Sequence, residues 1–225
     1  MKKIISILII SAMAVVMGMT FSACSGSSAS SGERKNPPSD SSRPVNKDAK
    51  ALVVYFSVPD NKDNSYVEVN GERLGNTQYM AYTIQENTGA NIFRILPKEP
   101  YPTDHNELLD VAQNEIKTNA RPEIDGTIEN FDSYDVVFVG YPNWNADMPY
   151  IMYTFFETYD FSGKTIVPFN THGGSGFSGT QETIAKLEPN ATMLEGKSIS
   201  RNDIEGSEQE IIDWLDSIGM LKSDK

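Results

Sequence analysis

The residues best equipped for chemistry fall in three clusters, each close behind a run of apolar residues. The first is Ser57 with Gly75, Asn76 and Thr77, which brings hydroxyls and a carboxamide beside a glycine where a helical pattern begins. Amide N–H groups at a helix N-terminus, joined by hydroxyls, can hold an anion without any lysine. The plainer role for Asn76 or Thr77 is to cap that helix. The second cluster is Pro142, Asn143, Trp144 and Asn145, whose indole can stack on a flat ring or close the edge of a core. The third is residues 170–179, with Thr171, His172, Gly173, Gly174 and Gly176. Glycines there let backbone N–H groups come close to a ligand. His172 can donate to it or relay a proton, or be a loop histidine with no role. His105, at another helix start, reads as structural or solvated.

These clusters need a scaffold, and the apolar pattern supplies one. The continuous run Ala51-Leu-Val-Val-Tyr-Phe56 marks a strand buried on both faces. Further strands are expected at residues 91–96, 134–140, 164–169 and 191–195, with Pro168 tolerable only near a strand end. Helical faces fill the gaps. One spans 77–87 and stops at Gly89, and one is opened by the capping pair Asp104 and Glu107. Others cover 148–159, a segment opened by Ser178 and Gln181, and a segment opened by Ser207 and Glu210. Five strands alternating with five helices predict an α/β fold, a three-layer doubly wound parallel five-stranded sheet. Ligands of such sheets bind beyond the carboxyl ends of the strands, where strand order reverses. The three clusters occupy those loops. A Rossmann dinucleotide fingerprint is absent.

Composition bounds the partners. The chain of 225 residues has 31 acidic and 19 basic residues, a net charge of −12. Such a surface repels nucleic acid, so no nucleic-acid partner is expected. One cysteine excludes an internal disulfide framework, and two histidines make a His-rich metal centre improbable. The N-terminus carries Lys2-Lys3 and then an apolar stretch over residues 4–19, too short to span a bilayer and suited to an export signal. Phe21-Ser-Ala-Cys24 resembles the lipobox of bacterial lipoproteins, although Phe21 stands where leucine is commonest. That resemblance implies a signal peptide over 1–23, lipidation of Cys24 and anchoring on the extracytoplasmic side of the bacterial cell membrane. A plain cleaved secretory peptide is the alternative. Removing the segment takes away two basic and no acidic residues, so the charge moves from −12 to −14. Residues 25–44 hold eight serines and three prolines and read as a solvated tether. The folded domain is expected over 47–225.

Tyr55-Phe56-Ser57 and Gly75-Asn76-Thr77 resemble the phosphate loop of the flavodoxin family. Gly140-Tyr-Pro-Asn-Trp144 and the run from Pro168 to Gly176 resemble its later loops. Glu99-Pro-Tyr-Pro102 and Asn119-Ala-Arg-Pro122 resemble segments of bacterial flavodoxin-like proteins. The resemblance implies strand order 2-1-3-4-5, a site for FMN and electron transfer to a protein or small-molecule acceptor. It assigns the phosphate to Ser57, Gly75, Asn76 and Thr77, and the ring to Pro142, Asn143, Trp144 and Asn145. The polar ring edge falls to Thr171, His172, Gly173, Gly174 and Gly176, with His172 as a proton relay. Stacking on Trp144 would pull the flavin potential down. Relatives often carry a second Trp where this chain has Asn145. The chain also departs from the family by an insertion over 58–74, which reads as a β-hairpin turning at Asn70-Gly71 and either covers the phosphate or displaces its loop. The second function class is a flavin-free binding module on the same fold. A hydrolase using Ser57 or Ser175 finds no Ser–His–Asp order to support it.

Overall fold

The computed structural model describes residues 50–58 and 65–222. The export signal, Cys24 and the tether lie outside the described residues, as do residues 59–64 of the insertion. The chain runs through β1 (Ala51–Phe56), β2 (Tyr66–Val69), β3 (Glu72–Gly75), α1 (Asn76–Thr88), β4 (Asn91–Pro97), α2 (His105–Thr118) and β5 (Ile124–Asp125). It continues with β6 (Val136–Pro142), α3 (Tyr150–Thr158), β7 (Thr165–His172), α4 (Thr180–Leu187), β8 (Thr192–Met193), β9 (Lys197–Ser200) and α5 (Glu208–Ser217). The main sheet is ordered β5-β4-β1-β6-β7-β8, with β9 also on β7. All its pairings are parallel except the short β4–β5 one. The parallel core therefore has the expected order, second, first, third, fourth, fifth, with β5 added at one edge.

The alternation of β1 shows why its sequence is apolar throughout. Val53 and Tyr55 join Met80 and Ile84 of α1 and Ile211 and Leu215 of α5 in one core cluster. Leu52, Val54 and Phe56 point the other way, into a cluster with Ile151, Met152 and Phe155 of α3 and Ile184 of α4. A strand with helices on both sides buries both of its faces.

Several boundaries differ from expectation. The fourth strand continues past Phe169 to His172, and Pro168 lies inside it. The Ile166 and His172 carbonyls accept from Leu194 and Arg201 N–H groups on the β8/β9 side. By the two-residue period, the nitrogen of Pro168 faces that same side, between β8 and β9. The fifth strand is split there, so no ladder bond is lost. The Pro168 carbonyl also stands 2.5 Å from where a Cβ on Gly196 would be, so only glycine passes at the break. The third helix begins at Tyr150 behind Pro149 rather than at Met148. The Ser207 hydroxyl donates back to the Ile204 carbonyl at 2.8 Å and leaves α5 without a side-chain cap. Gly179, not Ser178, precedes α4. Asp104 caps α2 as expected, accepting from the Asn106 and Glu107 amides.

Glu188 ends α4, where burial first and the charge of Asp160 second push its pKa up to about 7. A folded-state value above the ordinary one stabilises the fold below the ordinary carboxylate pKa, and this contribution is lost as pH rises through about 7. Glu188→Gln should therefore stabilise the protein at pH ~8, by about 1 kcal/mol once solvent screening of this half-buried group is allowed for. At pH ~5 it should change little, and thermal denaturation at the two pH values reads the difference. An equal effect at both would remove the linkage.

Candidate functional site

The ends of β1, β6 and β7 open into one cleft. Ser57 and Val58 follow β1, Pro142 closes β6, and Thr171 and His172 close β7. The insertion feeds this cleft directly. Its hairpin pairs Tyr66–Val69 with Glu72–Gly75, and Asn70 and Gly71 both have positive φ (54° and 82°), as a type I′ turn requires. Gly75 ends the hairpin and is also the N-cap of α1. Neither Asn76 nor Thr77 is that cap; both stand in the first turn and line the cleft. The Asn76 amide donates to the Ser65 carbonyl at 2.9 Å, tying the hairpin base to the helix start. No acidic side chain stands in this first turn. The Thr77 and Thr171 hydroxyls are 2.8 Å apart and join α1 to β7 across the floor.

The second loop is held by its own turn. Trp144 and Asp147 exchange backbone bonds of 2.8 and 2.9 Å, with Asn145 and Ala146 left-handed at φ 51° and 63°. Ala146 carries a Cβ in that region, which costs ~1 kcal/mol and is tolerated because the turn is fixed on both sides. Asp147 accepts from the Met148 amide and the Tyr153 hydroxyl. The Trp144 ring packs edge-on against Phe56 at 5.4 Å and Tyr101 at 5.3 Å between centroids, so one wall of the cleft is an aromatic triad. Behind it, burial raises the pKa of Glu115 on α2.

The glycine-rich loop is pinned to the second one. The Asn143 and Asn170 carboxamides both donate to the Gly176 carbonyl at 3.0 Å. The Gly174 amide donates to His172 Nδ1 at 2.9 Å, so the neutral imidazole carries its proton on Nε2. Burial, partly opposed by Asp203, holds the His172 pKa below its ordinary value, which favours this neutral form.

Of the expected site residues, Ser57, Asn76, Thr77, Pro142, Asn143, Trp144, Asn145, Thr171, His172 and Gly173 line the cleft together. Gly75, Gly174 and Gly176 stand behind it, as helix cap, histidine partner and loop anchor. The structure adds Ser65, His105, Leu108, Leu109, Ala112 and Arg201. Both histidines of the chain are thus at the cleft. His105 and the leucines come from the α2 face that starts at Asp104. Arg201 lies beyond the strand expected over 191–195; it follows β9 directly, at a strand's carboxyl end, where the ligand loops of such sheets stand.

The cleft can accept an elongated ligand with an anionic end among Ser65, Asn76, Thr77 and Arg201 and a flat ring against Trp144. Fold and site define an open-sheet α/β protein with its ligand cleft at the switch between β1 and β6. Residues 65–218 match the family model for flavodoxin, and the chain belongs to the flavodoxin family. A candidate flavoprotein from Bacteroides eggerthii is 34% identical, with a TM-score of 0.60 over 76% of this chain and 98% of its own. A second candidate flavoprotein, from Bacteroides uniformis, is 24% identical (TM-score 0.58, 75% and 98% covered). A flavoprotein from Lactobacillus acidophilus, solved in complex with FMN, shares the fold at 17% identity (TM-score 0.53, 72% and 97% covered). Comparison with curated proteins found no match.

Proposed function

We propose that this protein is an FMN-binding redox protein, tethered to the membrane through lipidated Cys24, that passes electrons to a protein or small-molecule acceptor. The observation that carries the reading is the two-ended cleft. Hydroxyls, first-turn amides of α1 and a guanidinium stand at one end, and an indole fixed by two aromatic neighbours stands on the wall. This donor set fits a phosphate, and the Trp144 wall fits a planar heterocycle. The Bacteroides eggerthii relative points the same way by its description as a flavoprotein.

A bound flavin supplies the electron chemistry; the chain supplies binding, orientation and electrostatics. Thr77, Asn76 and Ser57 would hold the phosphate. Trp144 would cover one ring face and exclude water there. The His172 Nε2–H would donate to the polar edge of the ring, where negative charge develops, and remain neutral because burial disfavours its protonation. The pinned loops cost no reorganisation when charge appears. The acidic surface suits weak, steered encounters with basic partners.

The test is the visible spectrum of the purified full-length chain, with and without added FMN. Flavin bands, or quenching of FMN fluorescence at micromolar concentration, are expected. A colourless protein that leaves FMN fluorescence untouched would overturn the reading and favour a flavin-free binding module. The tether has its own test. Cys24→Ala should move the protein from the membrane fraction to the soluble one, because acyl chains rather than a spanning helix would hold it. Full retention in the membrane fraction would refute lipid anchoring.

A further inference from the structure

Composition does not foreshadow the charge of the cleft. The chain carries 31 acidic residues against 19 basic ones. Yet among the described residues that line the cleft there is no Asp or Glu, and there is one guanidinium, Arg201. Its backbone fixes where it stands, because the Arg201 N–H donates to the His172 carbonyl at 2.8 Å and continues β9 along the end of β7. Its side chain lies against Gly173, with Cζ 3.7 Å from where a Cβ on that glycine would be. A neighbouring depression is lined by Arg201 together with Tyr66, Val67 and Glu68 of β2 and with Glu205. Strand β2 follows Ser65, whose carbonyl holds the Asn76 amide at the start of α1. Arg201 therefore joins the cleft beside the end of β7, where Thr171 meets Thr77 of α1, and beside the hairpin that leads into α1.

We infer that Arg201 discriminates between flavins by their tails. Its guanidinium takes the phosphate of FMN, a planar fork meeting a tetrahedral anion, and leaves riboflavin, which has the same ring and no phosphate, to bind weakly. The inference rests on the flavin reading above and goes beyond it by assigning the selectivity to one residue outside the phosphate loop. Electrostatics give it a diagnostic sign. A protein of net charge −12 repels a phosphate dianion at long range, so added salt would strengthen FMN binding if hydroxyls and amides alone held the phosphate. A guanidinium in contact adds a salt-weakened attraction to that background, so removing it should shift the salt response of FMN binding towards strengthening.

Flavin fluorescence titrations of the full-length chain with FMN and with riboflavin, at low and high salt, test the inference. Riboflavin affinity should hold steady with salt, whereas FMN affinity should respond more positively to salt in Arg201→Gln than in the wild type. Arg201→Gln should weaken FMN on the order of tenfold to a hundredfold and leave riboflavin within about twofold. Arg201→Lys keeps the test decisive if Arg201→Gln folds poorly: it retains the positive charge and should keep most of the preference for FMN over riboflavin. Complete loss of that preference in a folded Arg201→Lys overturns the charge-based role. FMN affinity unchanged in Arg201→Gln, or both flavins weakened equally, would also overturn it while leaving the flavin reading intact. A wild type that binds neither flavin defeats the flavin reading first, and this inference with it.

Discussion

Gly140→Ala should destabilise the fold by about 3 kcal/mol or more. Gly140 lies in the central strand β6, opposite Tyr55 on one side and Phe169 on the other. A Cβ there would meet three atoms of the Phe169 ring at 2.1, 2.3 and 2.8 Å. The ring is fully buried among Val53, Tyr55, Met80 and Val167, so it cannot swing aside into solvent. Backbone on both flanks is committed to parallel ladders, which removes the other route of relief. Urea denaturation measures the loss. Gly140→Ala combined with Phe169→Leu should recover much of it, since the two sites share one volume and their effects cannot be additive. A single variant within about 0.5 kcal/mol of wild type would contradict this packing.

Trp144→Ala is expected to act twice. The indole makes two edge-to-face contacts, with Phe56 and Tyr101, which also contact each other at 5.5 Å. Losing two such contacts costs about 2 kcal/mol of stability for a half-buried ring. If FMN stacks on this wall, its affinity should fall at least tenfold, because stacking a heterocycle on an aromatic side chain is worth ~1–3 kcal/mol. Trp144→Phe should retain most of the stability and part of the affinity. Denaturant midpoints read the first effect and FMN fluorescence titration reads the second. Lost stability with unchanged flavin affinity would leave Trp144 as a core-edge residue and put the ring elsewhere.

Gly140 and Trp144 also show how far the sequence could be read. The expected strand covers residues 134–140 and ends at Gly140. The strand in fact runs on to Pro142, and the glycine is there to let the Phe169 ring lie against the backbone. That requirement comes from a residue in another strand, so no local pattern carries it. Trp144 was legible as a flat surface beside a strand end. Its fixing by Phe56 and Tyr101 was not, because those rings arrive from β1 and from the segment after β4. The insertion read well down to its turn, since Asn70-Gly71 is a local signal. Its consequence, that β3 runs without a break into α1, depends on where the hairpin packs.

The sequence by itself determined the order of elements and the side of the sheet on which the cleft lies. Apolar periodicity and cap residues act over a few neighbours, and the handedness of parallel crossovers does the rest. Tertiary structure alone decided which loop residues meet. It brought Thr77 against Thr171 and committed Asn143 to the Gly176 carbonyl. It also delivered Arg201 to a cleft that an acidic composition seemed to leave without a cation. Pattern determines where a strand ends, whereas the company at that end depends on register, and register is fixed by packing between segments far apart in the chain.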